Sequence, residues 1–339
     1  MIEGTKTRTV IRKFKYGMVG GGMGSLIGDV HKRSIDLDGS AELVAGSFSR
    51  KFETSLKTGK MYGLDKARIY ETYGEMAKAE AAREDGIDFV VIVTPNKSHY
   101  PISKAFLENG IHVVCDKPLG LSSDEGRDLK RIVQEKGLLF CVTHIYTGYP
   151  MVKQAKLMIE NGDIGAIRSV RGQYIQGWMA TTVEKMGNRQ AVWRCDPKET
   201  GVANCMGDIG THIQQMLAYV TGLKIESLSA NMTAYHGREL DNDGQVLIKY
   251  AGGASGMLWA SHIVIGLDND LSFIICGEKG TLQWHQERPN ELIVNILDKP
   301  TQVLSRGNGY FYPEVNADTR LPSGHVEGHF VAFANIYRG

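Results

Sequence analysis

Three side chains in this sequence stand where a proton could be moved. Asp208 and His212 lie four apart in Gly207-Asp208-Ile209-Gly210-Thr211-His212. At that spacing both project from one face of a helix. Lys117 precedes a proline in Cys115-Asp116-Lys117-Pro118-Leu119, where an apolar run ends. An Asp at a helix start stays ionised readily, and its charge would raise the basicity of a neighbouring imidazole. The same pair also reads as an N-cap and a core histidine. Taken alone, Lys117 reads as an exposed loop lysine whose backbone the proline holds extended. No third and fourth ligand follow at metal-binding spacing, so no metal is expected.

A second set of residues fits a dinucleotide. Val19-Gly20-Gly21-Gly22-Met23-Gly24-Ser25 has the form G-x-G-x-x-S. Gly20 makes the tight turn, Gly22 lets the backbone approach a pyrophosphate, and Ser25 takes the small-residue place where helix meets strand. The pyrophosphate would rest on the helix N-terminus beside Met23 and Ser25. Further on, Gly46-Ser47-Phe48-Ser49-Arg50-Lys51 lacks the acid that bonds a ribose 2′-hydroxyl. Ser49 and Arg50 could hold a 2′-phosphate instead, which leans the NAD(P) cofactor toward NADP. The alternative for Arg50 is a solvated surface residue. Val93-Thr94-Pro95-Asn96-Lys97-Ser98-His99 follows an apolar run. Thr94, Asn96 and His99 are candidates for the nicotinamide end.

These motifs need elements to carry them, and the hydrophobic pattern supplies them. Strand-like runs at 15–19, 41–48, 89–93, 112–115 and 138–143 alternate with helical segments at 25–37, 52–62, 72–83, 100–109 and 123–136. That alternation predicts a doubly wound parallel sheet of the Rossmann type. Each motif then falls at the carboxyl end of a strand, where open α/β sheets bind ligands. The pattern changes near residue 150. After helices at 151–161 and 208–221 come strands at 167–176, 225–234, 245–250, 255–261, 271–276, 281–286 and 291–297. Links such as Ala251-Gly252-Gly253 are too short for helical crossovers. The expectation is an α/β chain: a Rossmann domain over 1–148, then an α+β domain over 149–339 with a mostly antiparallel open sheet. The chain stops at Gly339, just after a segment at 329–338 that reads as the start of an amphipathic helix, an ending expected of a longer protein cut short.

Composition removes several other classes. Lys plus Arg number 39 and Asp plus Glu 38, so the net charge of +1 argues against nucleic acid as a partner. No run approaches the length of a membrane span. Residues 1–8 carry basic side chains with no apolar run behind them, so no secretory signal is expected there. Five cysteines without CxxC spacing fit a reduced, cytoplasmic chain.

The four motifs, in this order and in these strand contexts, resemble the glucose–fructose oxidoreductase / inositol dehydrogenase (Gfo/Idh/MocA) family over nearly the whole chain. That family usually has Glu before the Lys-Pro, where this chain has Asp116. Gly148-Tyr149-Pro150, Gln176-Gly177-Trp178, Gln190-Ala191-Val192-Trp193-Arg194-Cys195-Asp196-Pro197 and Pro322-Ser323-Gly324-His325 look like its branch containing levoglucosan dehydrogenase. The resemblance implies a sugar or cyclitol dehydrogenase that forms a homodimer or homotetramer through its C-terminal sheet. It implies catalysis by Lys117, Asp208 and His212, with Tyr149, Gln176 and Trp193 also lining the substrate pocket. Trp193 suits the apolar face of a sugar ring, though it also reads as core packing. In the expected reaction His212 takes the hydroxyl proton, Asp208 orients His212 or bonds a neighbouring hydroxyl, and Lys117 donates to the oxygen, with Lys117 the other candidate base. Two alternatives stand beside this. One is a glycosidase that uses held NAD for transient oxidation and elimination. The other is a non-catalytic nucleotide sensor.

Overall fold

A computed structural model describes residues 12–339; the N-terminal stretch read above for a secretory signal lies outside them. Five parallel strands form the first sheet: β1 (Phe14–Gly20), β2 (Ala41–Ser47), β3 (Phe89–Val93), β4 (His112–Cys115) and β5 (Phe140–Val142). Their order is β2-β1-β3-β4-β5. The helices α1 (Leu26–Asp38), α2 (Phe52–Met61), α3 (Tyr73–Ala81), α4 (His99–Glu108) and α5 (Ser123–Lys136) connect them and cover both faces. Burial of both faces is why β3 is apolar at every position. Phe106, Leu107, Leu129 and Ile132 pack one side. Tyr16, Met18, Ile35 and Phe48 pack the other. The chain steps from β1 outward to β2, then back across to β3, so a switch point lies between β1 and β3. Gly20 pairs with Val93 there, which sets the glycine turn beside the Thr94 turn.

A 3-10 turn, Ile145–Gly148, leads into α6 (Pro150–Glu160) and β6 (Ile167–Ile175). The chain then makes a long excursion through two short helices, α7 (Arg189–Arg194) and α8 (Pro197–Thr200). It returns through a π-helical turn, Met206–Gly210, into α9 (Thr211–Thr221). Seven further strands follow: β7 (Ile225–Thr233), β8 (Asp243–Tyr250), β9 (Ser255–Ser261), β10 (Asp270–Gly277), β11 (Gly280–His285), β12 (Glu291–Ile296) and β13 (Gln302–Ser305). With β6 they form an eight-stranded sheet in the order β13-β12-β11-β10-β6-β9-β8-β7. Every pair is antiparallel except β6–β9. The expected α/β fold, with one parallel and one mostly antiparallel sheet, is the fold observed.

The inner face of the large sheet is the core of this half, and α9 lies on it. Gly172 makes that close packing possible: a Cβ there would stand 2.5 Å from Ile213 Cγ2. The opposite face carries one continuous register row, Leu247–Met257–Arg171–Ile274–Gln283–Ile293–Val303.

After α10 (Pro313–Ala317), the last helix, α11 (His329–Arg338), returns to the first half. Tyr337 Oη lies 2.5 Å from His31 Nδ1 on α1, and Asn335 Nδ2 donates to Gly148 O at 2.8 Å. Thus α11 packs against the nucleotide-type half, while its Ala332 and Phe333 belong to the core of the second half. Among the described residues all five cysteines are free, and no helix is long and apolar enough to cross a membrane.

Candidate active site

The glycine turn sits in a crevice between the tips of β2 and β3. Gly20 has φ +86°, and a Cβ on it would stand 2.6 Å from Val93 O. A Cβ on Gly22 would stand 2.9 Å from Phe48 O. Ser25 does not occupy the helix–strand contact expected of it; it caps α1, its Oγ accepting from Gly28 N at 3.4 Å. The close approach falls to Gly28, whose added Cβ would stand 2.5 Å from Gly21 Cα. One helical turn past Ser25, that glycine was the overlooked signal. Met23 exposes its side chain and donates its backbone N–H to Thr58 Oγ1 at 3.1 Å. At the tip of β2, Ser49 Oγ accepts from Lys51 N at 3.1 Å, and Arg50 is exposed.

Across the crevice Asn96 is buried, and Thr94 Oγ1 is buried without a partner. His99 differs from its expected place as a cofactor ligand. Its Nδ1 lies 2.6 Å from Pro118 O and its Nε2 2.8 Å from Thr94 O. Both ring nitrogens are thus taken, and the ring clamps the Thr94 turn to the Lys117 turn. A glycine cradle that a Cβ would fill and a buried hydroxyl lacking a partner together fit a dinucleotide.

The next strand end delivers Lys117 to the second half of the chain. Lys117 Nζ donates to Asp208 Oδ1 at 2.5 Å and to Asp208 O at 2.8 Å. The other carboxylate oxygen, Oδ2, accepts from Arg194 Nε at 2.8 Å, with His262 Nε2 3.6 Å away. Burial opposes ionisation of Asp208, but Lys117 and Arg194 outweigh it and hold the carboxyl well below its ordinary range. Asp208 is not the N-cap of its helix. It lies in the π-helical turn, which Asp241 fixes by accepting from Asn204 N and Met206 N, each at 2.8 Å.

Asp208 is bonded to two cations, and no hydrogen bond joins it to His212, so the expected orienting contact is corrected. His212 is buried against aromatic edges instead. Its ring is 4.8 Å from that of Tyr146 and 5.6 Å from that of His144. Burial holds its pKa well below the ordinary histidine value; Lys117 and His144 add to this, and Asp208 opposes it without prevailing. The expected upward shift is therefore reversed. Burial, with Lys117, also holds His144 down to about 4. Nδ1 of His212 is buried without a partner, which leaves Nε2 to meet a ligand.

The residues expected in the substrate pocket divide. Tyr149 is 2% exposed and packs on Trp284, away from the site. Gly148 lies tight under α11 and Pro150 starts α6, so the chain turns Tyr149 toward the sheet. Tyr146, three residues earlier, takes the position beside His212, and its hydroxyl lies 2.6 Å from that of Tyr174. Gln176 spends its amide within the protein, accepting from Trp178 Nε1 at 3.0 Å and donating to Asn269 Oδ1 at 2.7 Å. Trp193 is half-buried, not core, with the Arg194 guanidinium 4.2 Å from its ring. Arg194, Tyr146 and Tyr174 were missed as site residues. A groove of about 520 Å³ is lined by Pro118, Leu119, His144, Thr211, Leu228 and Val246 among others; Lys117, Asp208 and His212 do not line it.

Comparison with known proteins decides the family. Residues 14–144 match the oxidoreductase family with an NAD-binding Rossmann fold, and residues 152–283 match the GFO/IDH/MocA C-terminal domain. The chain belongs to the Gfo/Idh/MocA oxidoreductase family. The uncharacterized oxidoreductase YfiI of Bacillus subtilis is 37% identical over 334 residues, 97% of this chain and 85% of that one. Levoglucosan dehydrogenase of Pseudarthrobacter phenanthrenivorans is 31% identical over 265 residues, 67% of this chain and 66% of that one. The crystal structure of an inositol dehydrogenase homolog from Azotobacter vinelandii, complexed with NAD+, superposes with a TM-score of 0.93 at 36% identity, covering 100% of this chain and 87% of that one. This Gfo/Idh/MocA member is thus an NAD-binding oxidoreductase with sugar and cyclitol dehydrogenases among its relatives.

Proposed function

We propose that the protein is an NAD(P)-dependent dehydrogenase acting on a secondary alcohol of a cyclitol or pyranose. The observation that carries this reading is the junction at Asp208. There a lysine from the nucleotide-binding half meets an acid from the other half, one helical turn from a buried neutral histidine. Gly20, Gly22, Thr94 and Asn96 would hold the dinucleotide, with Met23 and Ser25 at the helix start. Ser49 and Arg50, without a carboxylate beside them, favour a 2′-phosphate. Bound nicotinamide supplies the hydride acceptor for oxidation and the donor for reduction.

The chain's own residues would do the rest. His212, neutral through burial, takes the hydroxyl proton on Nε2. Lys117, held on Asp208, donates to the substrate oxygen as negative charge grows there. Its two bonds to Asp208 keep the Nζ protons directed and favour it as donor over base. A levoglucosan dehydrogenase and an inositol dehydrogenase homolog among the relatives support a polyhydroxylated ring as substrate. The exposed Leu247, Met257 and Val303 on the outer sheet row support a homo-oligomer built on that face; sedimentation would show a monomer if this is wrong.

The test is a panel of inositols, pyranoses and anhydro-sugars with NAD+ and with NADP+, followed at the nicotinamide absorbance. Reduced nucleotide should accumulate with at least one polyol. Tight nucleotide binding without turnover on any of them would favour a sensor. Glycosidic cleavage without free NAD(P)H would favour the transient-oxidation glycosidase.

A further inference from the structure

We propose that Arg194 is a positioning residue of this site: it anchors the second oxygen of Asp208, so that the first is presented to Lys117. Its Nε lies 2.8 Å from Asp208 Oδ2, while Lys117 Nζ lies 2.5 Å from Oδ1. One carboxylate therefore bridges two cations, with one oxygen committed to each. With Oδ2 fixed, the carboxylate cannot rotate about its last bond, and the direction of the Lys117 N–H groups follows from it.

Arg194 is itself held from several sides. Its guanidinium lies 4.2 Å from the Trp193 ring and 5.7 Å from the Trp178 ring. Its Nη1 donates to Gln190 Oε1 at 2.8 Å and to Gln190 O at 3.2 Å. Stacking and forked donation use features that a guanidinium has and an ammonium lacks. The helix that carries Arg194 starts at Asn188, whose Oδ1 accepts from Gln190 N and Ala191 N. Trp178 also packs its ring edge on His262, whose Nε2 lies 3.6 Å from Asp208 Oδ2. Burial holds His262 down to about 4, so it adds no charge at neutral pH. Asp241, behind the turn, has both oxygens committed to backbone N–H groups. The ionisation of Asp208 therefore rests on Lys117 and Arg194 against burial, with Tyr146, Tyr174 and His212 neutral around it. Trp193, expected to offer a face to the sugar, instead gives a face to Arg194.

The kinetic part of this proposal rests on the dehydrogenase reading; the stability part does not. Arg194→Gln should lower kcat on the order of 10- to 100-fold, the loss that follows when a reacting group is misplaced by about an ångström. Nucleotide affinity, read by quenching of tryptophan fluorescence, should stay unchanged. In an Asp208→Asn background the same substitution should change kcat by less than about twofold, since coupled residues are not additive. Arg194→Lys keeps the charge but not the fork or the stack, so it should recover only part of the rate.

The second readout is urea stability against pH. Asp208 has a depressed folded-state pKa, so its contribution is present above the unfolded value of about 3.9 and is lost as pH falls through the folded value. Removing one of its two cations raises the folded value. The acid decline of stability still begins near the unfolded value, but in Arg194→Gln it should end at higher pH and be smaller than in the wild type, and in Arg194→Lys it should stay close to the wild-type decline. Superimposable stability curves would overturn the proposal even if no substrate were known. Wild-type kcat in Arg194→Gln, or fully additive losses with Asp208→Asn, would overturn it while leaving the dehydrogenase reading intact.

Discussion

The pH dependence of oxidation tests the reasoning about His212 most directly. If His212 is the base, it must be neutral, and kcat/KM falls once pH drops below its pKa. For an ordinary imidazole with a pKa of about 6.5, roughly nine tenths would be neutral at pH 7.5 and about one tenth at pH 5.5, a nearly tenfold fall. The fold places His212 below that range through burial first, then Lys117 and His144, with Asp208 opposing. The expected result is therefore a fall between pH 7.5 and pH 5.5 that is clearly smaller than the roughly tenfold of an ordinary imidazole. Asp208→Asn removes the one opposing charge. It should move the limb to still lower pH while cutting the rate, because Lys117 and Arg194 lose their shared partner. His212→Gln should lower the rate at every pH by about 100-fold or more, the usual worth of a positioned base. The assay is initial-rate reduction of nucleotide at constant ionic strength, with the best polyol of the panel. A wild-type limb at or above pH 6.5 that vanishes in His212→Gln would refute the argument, since the Asp208 charge would then outweigh burial.

Three other expectations follow. Lys117→Ala should lower kcat on the order of 100-fold or more while leaving nucleotide affinity nearly intact; stopped-flow single turnovers with an unchanged chemical rate would remove Lys117 from the reaction. Arg50→Ala should weaken NADP+ binding by roughly 1.5–3 kcal/mol and NAD+ binding hardly at all; equal losses by calorimetry would return Arg50 to the solvated surface. Burial holds His31, His144 and His262 down to about 4. The unfolded chain takes up these protons first, so urea stability should decline as pH falls from about 6.5 toward 4, by up to about 1.4 kcal/mol per pH unit for each histidine. Constant stability between pH 7 and pH 5 would contradict the buried neutral state.

How much could be read in advance depended on the length and regularity of each segment. The run FVVIV at 89–93 and the stretch at 123–136 closed by Gly137 stand as β3 and α5, because burial on two faces and an αL cap each leave a local mark. The excursion that carries Arg194 has no such mark. Its helices are six and four residues long, less than two full turns, and no periodicity can emerge from them. The spacing of Asp208 and His212 assumed a regular α-helix, and the π-helical turn at 206–210 broke that assumption. Tyr149 was placed by motif; Tyr146 depended on how a four-residue 3-10 turn directs its side chains, which is a tertiary fact. The clamp role of His99 was equally out of reach, since its partners Thr94 O and Pro118 O are backbone atoms on two different loops.

The return of α11 bears on how the protein is made. Tyr337 completes the packing around Tyr16, Met18 and Phe89, and its hydroxyl meets His31. A ribosome delivers Tyr16 first and Tyr337 more than three hundred residues later. Domains ordinarily fold as units, the N-terminal one first, as the chain emerges. Here the earliest strands must wait with one flank of their core open until Tyr337 has cleared the exit tunnel. Vectorial synthesis and native packing run in opposite senses, and the nascent nucleotide-binding half is the species that chaperones would meet.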